Sequence, residues 1–85
     1  MFYVYLLKSI KNGDLYVGYS GNLRLRFKQH NSKEVKSTKA NAPWKLIYYE
    51  AYVNKLDATK REIELKKNHK IKEDLKIQVK NSLNS

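Results

Sequence analysis

Cysteine is absent from the 85-residue chain, which removes both a disulfide framework and a thiolate zinc site. Without such staples a chain of this length folds as one domain around a small hydrophobic core. Long apolar runs and a signal-like start are also missing, so a soluble cytoplasmic protein is expected, with no spanning segment. No stretch carries the Trp/Phe/Leu face of an interfacial helix, and a membrane is not the expected partner. Acidic side chains are scarce: eight stand against 18 lysines and arginines, a formal net charge of +10. Polyanions are the natural partners of that charge, held through counterion release. The same excess of lysine also serves simply to keep a protein soluble, so charge alone leaves the function open.

What is present begins with Asn12-Gly13 between two segments rich in Tyr, Val and Leu. Asn-Gly in that setting predicts a hairpin with a two-residue type I′ turn. That register sets Ser9 against Tyr16, Leu7 against Gly18 and Tyr5 against Ser20. Side chains alternate in a strand, so Tyr5, Leu7 and Ser9 share a face with Tyr16, Gly18 and Ser20. Two phenols then lie on one surface beside a position without a side chain, Gly18, which suits the floor of a pocket.

Strands are expected over residues 2–9 and 14–19. The period then becomes helical: Leu23, Phe27 and His30 line one side, Arg24 and Lys28 the other, with Asn22 as N-cap of a helix over about 22–30. Residues 31–43 read as a loop with room for a helical turn. A third strand is expected from Trp44 to Val53, with Leu46, Tyr48 and Glu50 alternating against Ile47, Tyr49 and Ala51. Asp57 is the expected cap of a helix through Ala58, Arg61, Glu62 and Leu65 to about His69. A last helical stretch is expected over 71–80, carrying Ile71, Leu75 and Val79, followed by a frayed tail over 81–85. The order β-β-α-β-α predicts an α+β fold, a small three-stranded, mainly antiparallel sheet covered by helices.

Three polar positions border predicted core faces. Arg26 and His30, four apart, flank the Leu23 and Phe27 stripe. Snorkelling by Arg26 and a favourable helix end for His30 would explain them structurally. Glu62 projects within about 60° of Ala58 and Leu65, whereas Glu64 projects roughly 160° away from it. A carboxylate on such a stripe needs a cation, a donor or a metal, and Lys66 four residues on supplies the plain alternative of a helix ion pair. Strand tyrosines, Tyr48, Tyr49 and Tyr52 included, ordinarily do no more than pack.

The ordered set Tyr5, Tyr16, Gly18, Arg26, His30 and Glu62 resembles the GIY-YIG nuclease family. Tyr3-Val4-Tyr5 matches its first motif, Tyr16-Val17-Gly18 its second, and Arg26 and His30 keep the spacing of its basic helix residues. Ala58-x-x-Arg61-Glu62 is similar to its glutamate motif. The likeness runs from residue 2 to about 70 and is nearest to small stand-alone bacterial members, more distantly to the nuclease domain of the UvrC excision-repair protein. Tyr3 stands where the named motif has glycine, and neither Asn68 nor Asn81 matches the asparagine of some members.

The resemblance implies a single nuclease domain over 1–80 that hydrolyses DNA phosphodiesters with Mg²⁺ or Mn²⁺, in repair or recombination. Glu62 would anchor the metal and Arg26 would pair with phosphate oxygens. Tyr5 would be the general base, with Tyr16 and His30 positioning water, phosphate or Tyr5, and Gly18 structural at the site. Lys28, Lys66 and Lys67 are the implied nucleic-acid-binding residues. No small-molecule cofactor is implied. Double-stranded or branched DNA is the implied substrate, and a homodimer or protein partner would be one means of targeting. Cutting both strands would require a dimer, sequential nicks or a partner that presents the substrate. The rival expectation is a non-catalytic nucleic-acid-binding module with the same fold; a basic scaffold protein ranks behind it.

Overall fold

The strand β1 (Phe2–Ser9) carries four successive buried side chains, Val4 to Leu7, a run that suits a strand covered on both faces. In the computed structural model, which describes residues 1–85, it is indeed central. β2 (Leu15–Ser20) and β3 (Trp44–Tyr52) flank it, both antiparallel, in the order β2-β1-β3. The helices are α1 (Leu23–Asn31), α2 (Lys55–Lys67), α3 (His69–Gln78) and a short α4 (Lys80–Leu83), with a 3₁₀ turn at Lys39–Asn41. The expected α+β fold is the observed one. No helix is long and apolar enough to cross a membrane.

The two faces of β1 serve different layers. Val4 and Leu6, with Val17 of β2, pack against Ala58 and Leu65 of α2, Leu75 of α3, and Val79. Tyr5 and Leu7 point the other way, into a cluster with Ala42 and Trp44 that Leu23 and Phe27 of α1 cover. Asn22 caps α1 as expected, its side chain accepting from the Leu25 N–H.

Several expectations need correction. The hairpin register is displaced by two residues: Tyr5 faces Gly18, Leu7 faces Tyr16 and Tyr3 faces Ser20. Only Gly13 of the Asn-Gly pair takes a positive φ, +80°, whereas a type I′ turn needs two. The loop instead spans Ile10 to Gly13, closed by Ser9 N–H on Asp14 O at 2.8 Å and Gly13 N–H on Ser9 O at 2.9 Å. The Ser9 hydroxyl oxygen accepts from the Lys11 and Asn12 amides, both at 3.2 Å, which steadies the longer turn. Because the slip is even, every side chain stays on its expected face.

In β3 the simple alternation fails. Leu6 pairs with Tyr48 and Leu7 with Leu46, so Ile47 is an extra residue in a bulge. Leu46 therefore packs on the α1 side with Tyr5 and Leu7, while Ile47 and Tyr48 both join the α2 side. Asn54, not Asp57, caps α2, accepting from Leu56 N–H at 2.8 Å; Asp57 sits in the first turn, where its charge complements the helix dipole. α2 ends at Lys67 because Asn68 leaves helical geometry and caps α3 through Ile71 N–H at 3.2 Å. The tail expected to fray forms α4. Leu83 packs against the core, and its carbonyl accepts from Lys8 Nζ at 2.7 Å.

Candidate active site

Tyr5 is 2 % exposed, and its phenol lies across Gly18, where an added Cβ would collide with the ring. Glycine is thus required opposite Tyr5, by close approach rather than by backbone angle. The Tyr5 hydroxyl is 2.8 Å from His30 Nε2, and the two rings meet edge to face. His30 does not merely border the core as its spacing suggested: it is fully buried, between Tyr5 and Tyr16, whose ring centroid is 5.3 Å away. On its other side Nδ1 lies 2.7 Å from the hydroxyl of Thr38, itself wholly buried.

Electrostatics follow from that burial. Desolvation pushes the Tyr5 pKa up to about 12; the neighbouring Arg26 pulls against it, while Tyr16 and Glu62 add to the rise. Burial, with Arg26 as a lesser cause, pushes the His30 pKa down to about 4. At neutral pH the pair is therefore a phenol and an uncharged imidazole. Arg26 is half-buried on α1 and donates to Gln29 Oε1 at 3.3 Å.

Glu62 arrives from α2, which packs on the opposite face of the sheet. Its side chain is 21 % exposed and its Oε2 lies 3.1 Å from Lys66 Nζ, the helix ion pair that the spacing offered as the plain alternative. The Lys66 ammonium in turn lies 5.4 Å from the centre of the Tyr16 ring. Lys66 thus links the carboxylate to the edge strand β2, and the Glu62 charge adds, as the smallest contribution, to the rise of the Tyr5 pKa. The fold therefore brings together Tyr5, Tyr16, Gly18, Arg26, His30, Glu62 and Lys66. Lys28 and Lys67 are exposed and take no part in the side-chain interactions that join this cluster. Glu64, expected to be solvated, is half-buried.

No group of three or more His, Cys, Asp or Glu side chains is placed to hold a metal ion. A lone, partly exposed carboxylate fits only a hard cation that keeps its waters or takes oxygens from a bound substrate, which is the habit of Mg²⁺. Within that limit Glu62 fits such an ion, provided that Lys66 gives up the carboxylate oxygen.

Thr38 was not among the candidates. It lies in an aperiodic stretch of Ser, Thr and Lys, where nothing in the spacing marks one hydroxyl above another. Trp44 organises the same region: its Nε1–H donates to Thr38 O at 3.0 Å, and its ring packs against Tyr16. Also unforeseen is a cavity of about 630 Å³ lined by Lys8, Lys72 and Lys76 together with Asp14, Tyr16 and Trp44.

Comparison with known proteins agrees with this architecture. The GIY-YIG catalytic domain family matches residues 1–74, and the chain belongs to the GIY-YIG family, a domain of the nuclease type. It is similar to small UPF0213 proteins. One from Clostridium perfringens is 44 % identical over 68 residues, covering 79 % of this chain and 72 % of that protein. Another from Bacillus pumilus is 39 % identical over 77 residues, covering 89 % and 78 %. The solution NMR structure of a UPF0213 protein from Bacillus halodurans superposes with a TM-score of 0.57 at 32 % identity, covering 94 % of this chain and 86 % of that one.

Proposed function

We propose that this protein is a divalent-metal-dependent endonuclease that hydrolyses DNA phosphodiesters, acting on double-stranded or branched DNA with weak sequence preference. The observation that carries the reading is the run of contacts from the buried Tyr5–His30 pair through Tyr16 and Lys66 to Glu62 of α2, with Arg26 of α1 acting on the ionisation of Tyr5. Glu62 would hold Mg²⁺ or Mn²⁺, which when bound supplies Lewis-acid stabilisation of charge on the phosphoryl group and leaving oxygen. Arg26 pairs with non-bridging oxygens, as a planar guanidinium does well. Tyr5, as phenolate, takes a proton from the attacking water, whose oxygen bonds to phosphorus as the opposite P–O bond breaks. Tyr5 must first lose its own proton to solvent, and Arg26 is the side chain that favours this against burial.

His30 holds the Tyr5 hydroxyl in place, and Tyr16, between His30 and the Lys66 ammonium, positions water or phosphate. The cavity that Tyr16 shares with Lys8, Lys72 and Lys76 offers the flanking backbone three ammonium groups. Lys28 and Lys67, exposed on the same helices as Arg26 and Glu62, contribute charge to the binding of the DNA backbone. One such cluster cuts one strand at a time, so a double-strand break takes sequential nicks, a second copy or a protein partner. A cytoplasmic role in DNA repair or recombination completes the proposal.

The Glu62–Lys66 ion pair specifically favours a second reading, a nucleic-acid-binding module without turnover. Supercoiled plasmid separates the two. With Mg²⁺ or Mn²⁺ the protein is expected to nick it, and chelator, Glu62→Gln and Arg26→Ala each to reduce nicking by about a hundredfold or more. Salt-sensitive binding without metal-dependent nicking supports the module and removes the enzyme.

A further inference from the structure

The Thr38 hydroxyl has one proton to give and two acceptors near it. One is the Val35 carbonyl at 3.4 Å, the other His30 Nδ1 at 2.7 Å. The Val35 carbonyl already accepts the backbone N–H groups of Thr38 and Lys39, at 3.1 and 3.0 Å. Both of its lone pairs are therefore engaged, and a third donor at that longer distance gains little. His30 Nδ1 is the acceptor that is both close and free.

A neutral imidazole carries one N–H, so a ring that accepts at Nδ1 donates at Nε2. Nε2 points at the Tyr5 oxygen, 2.8 Å away. Burial supplies the condition that the ring is neutral at pH 7. The opposite tautomer would leave the Thr38 proton only the long, oversubscribed contact to Val35, with Thr38 and His30 themselves wholly buried. Thr38 has little freedom to turn away, because its carbonyl is held by Trp44 Nε1–H at 3.0 Å and by Asn41 N–H at 3.2 Å.

We infer that Thr38 is a positioning residue: it fixes His30 as the Nε2–H tautomer, making His30 a hydrogen-bond donor to the Tyr5 oxygen instead of the acceptor of its proton. The Tyr5 proton is then not committed to His30, and its loss leaves an oxygen that still accepts from Nε2–H. A donor held against the oxygen favours the phenolate over the phenol. The catalytic meaning of this rests on the nuclease reading above, since it is the phenolate that would activate water; the tautomer itself does not.

The test uses the ¹⁵N-labelled full chain carrying His69→Gln, which removes the other, exposed ring. Nitrogen chemical shifts of the remaining imidazole at neutral pH report which nitrogen bears the proton. We expect a single tautomer with the proton on Nε2, retained in Thr38→Ser and lost in Thr38→Val. A proton on Nδ1, or an exchanging mixture of the two forms, in the chain that keeps Thr38 overturns the inference. In plasmid nicking, Thr38→Val should lower kcat about tenfold with KM little changed, and Thr38→Ser should restore it. Loss in both variants alike, without a change of tautomer, also counts against it. If even the unaltered protein fails to nick, the nuclease reading falls while the ring measurement still decides the role of Thr38.

Discussion

The two faces of this one sheet are filled on different terms. On the α2 side, Val4, Leu6 and Val17 meet Ala58, Leu65, Leu75 and Val79, all buried and all apolar. The charged pair on that side, Glu50 and Arg61, lies towards the margin, with side chains 14 % and 26 % exposed. On the α1 side, Tyr5, His30, Thr38 and Ser9 are buried almost completely, although each carries a polar atom. Burying polar groups stabilises little in net terms and demands that every partner be present. Each buried polar side-chain atom does have one. Both faces hold an apolar cluster, but the larger lies on the α2 side, with seven buried residues against four on the α1 side.

The largest loss of stability is expected in the apolar face. Leu65→Ala should cost about 3 to 4 kcal/mol, read from urea denaturation, with nicking per folded molecule unchanged. Equal loss of activity and stability would mean that the α2 core also shapes the chemistry. Gly18→Ala attacks the polar face: the new methyl group displaces the Tyr5 ring, for about 2 to 3 kcal/mol of strain and loss of nicking. A fully active Gly18→Ala protein would contradict the placement of Tyr5 over Gly18.

Arg61→Ala should cost somewhat less, about 1 to 2 kcal/mol. Arg61 Nε and Nη2 donate to the Glu50 carboxylate at 3.0 to 3.1 Å, and the Tyr48 and Tyr52 hydroxyls donate to it too. This network ties β3 to the residue next to Glu62, so nicking should fall as well, mainly through kcat. Unchanged kinetics would separate Glu62 from the network.

Acid provides the mildest test, since the two faces respond in different windows. The folded His30 pKa of about 4 lies below its ordinary 6.5, so the unfolded chain binds the extra proton. Its contribution is complete above 6.5 and is lost as pH falls towards 4, amounting to about 1 kcal/mol between about pH 7.5 and 5.5. Burial would raise the Glu50 carboxyl, but hydrogen bonds from Arg61, Tyr52 and Tyr48 outweigh it and hold it below the usual carboxylate range. That contribution is present above the ordinary carboxylate value and lost only in stronger acid. Denaturation at stepped pH should show the earlier loss in the parent protein and not in His30→Gln.

The parts legible in the sequence were those decided by local chemistry: the strand composition, the Asn22 cap, the change from a two-residue to a helical period, and the face shared by Tyr5 and Tyr16. The register escaped because Ser9 lengthens the turn with its own side chain and with a hydroxyl bond to Asn41 O at 2.6 Å, a partner 32 residues away. The Ile47 bulge escaped because it reconciles two cores, one on each face of β3, which no alternation within the strand records. Thr38 escaped because its importance comes wholly from His30, on a different element. Asn68 and the last residues depart from their expected roles for the same reason: a cap between helices and a carbonyl held by Lys8 are tertiary facts.

The central claim is that the polar face, joined by a carboxylate from the opposite layer, forms one cluster that receives a hydrated cation. Paramagnetic broadening of backbone amides by Mn²⁺ tests it directly. Broadening should centre on Tyr5, Tyr16, Gly18, Arg26 and Glu62 and vanish in Glu62→Gln. Broadening that gathers instead at Asp57, Glu64 or Asp74, with the amides around Tyr5 and Arg26 untouched, would contradict it.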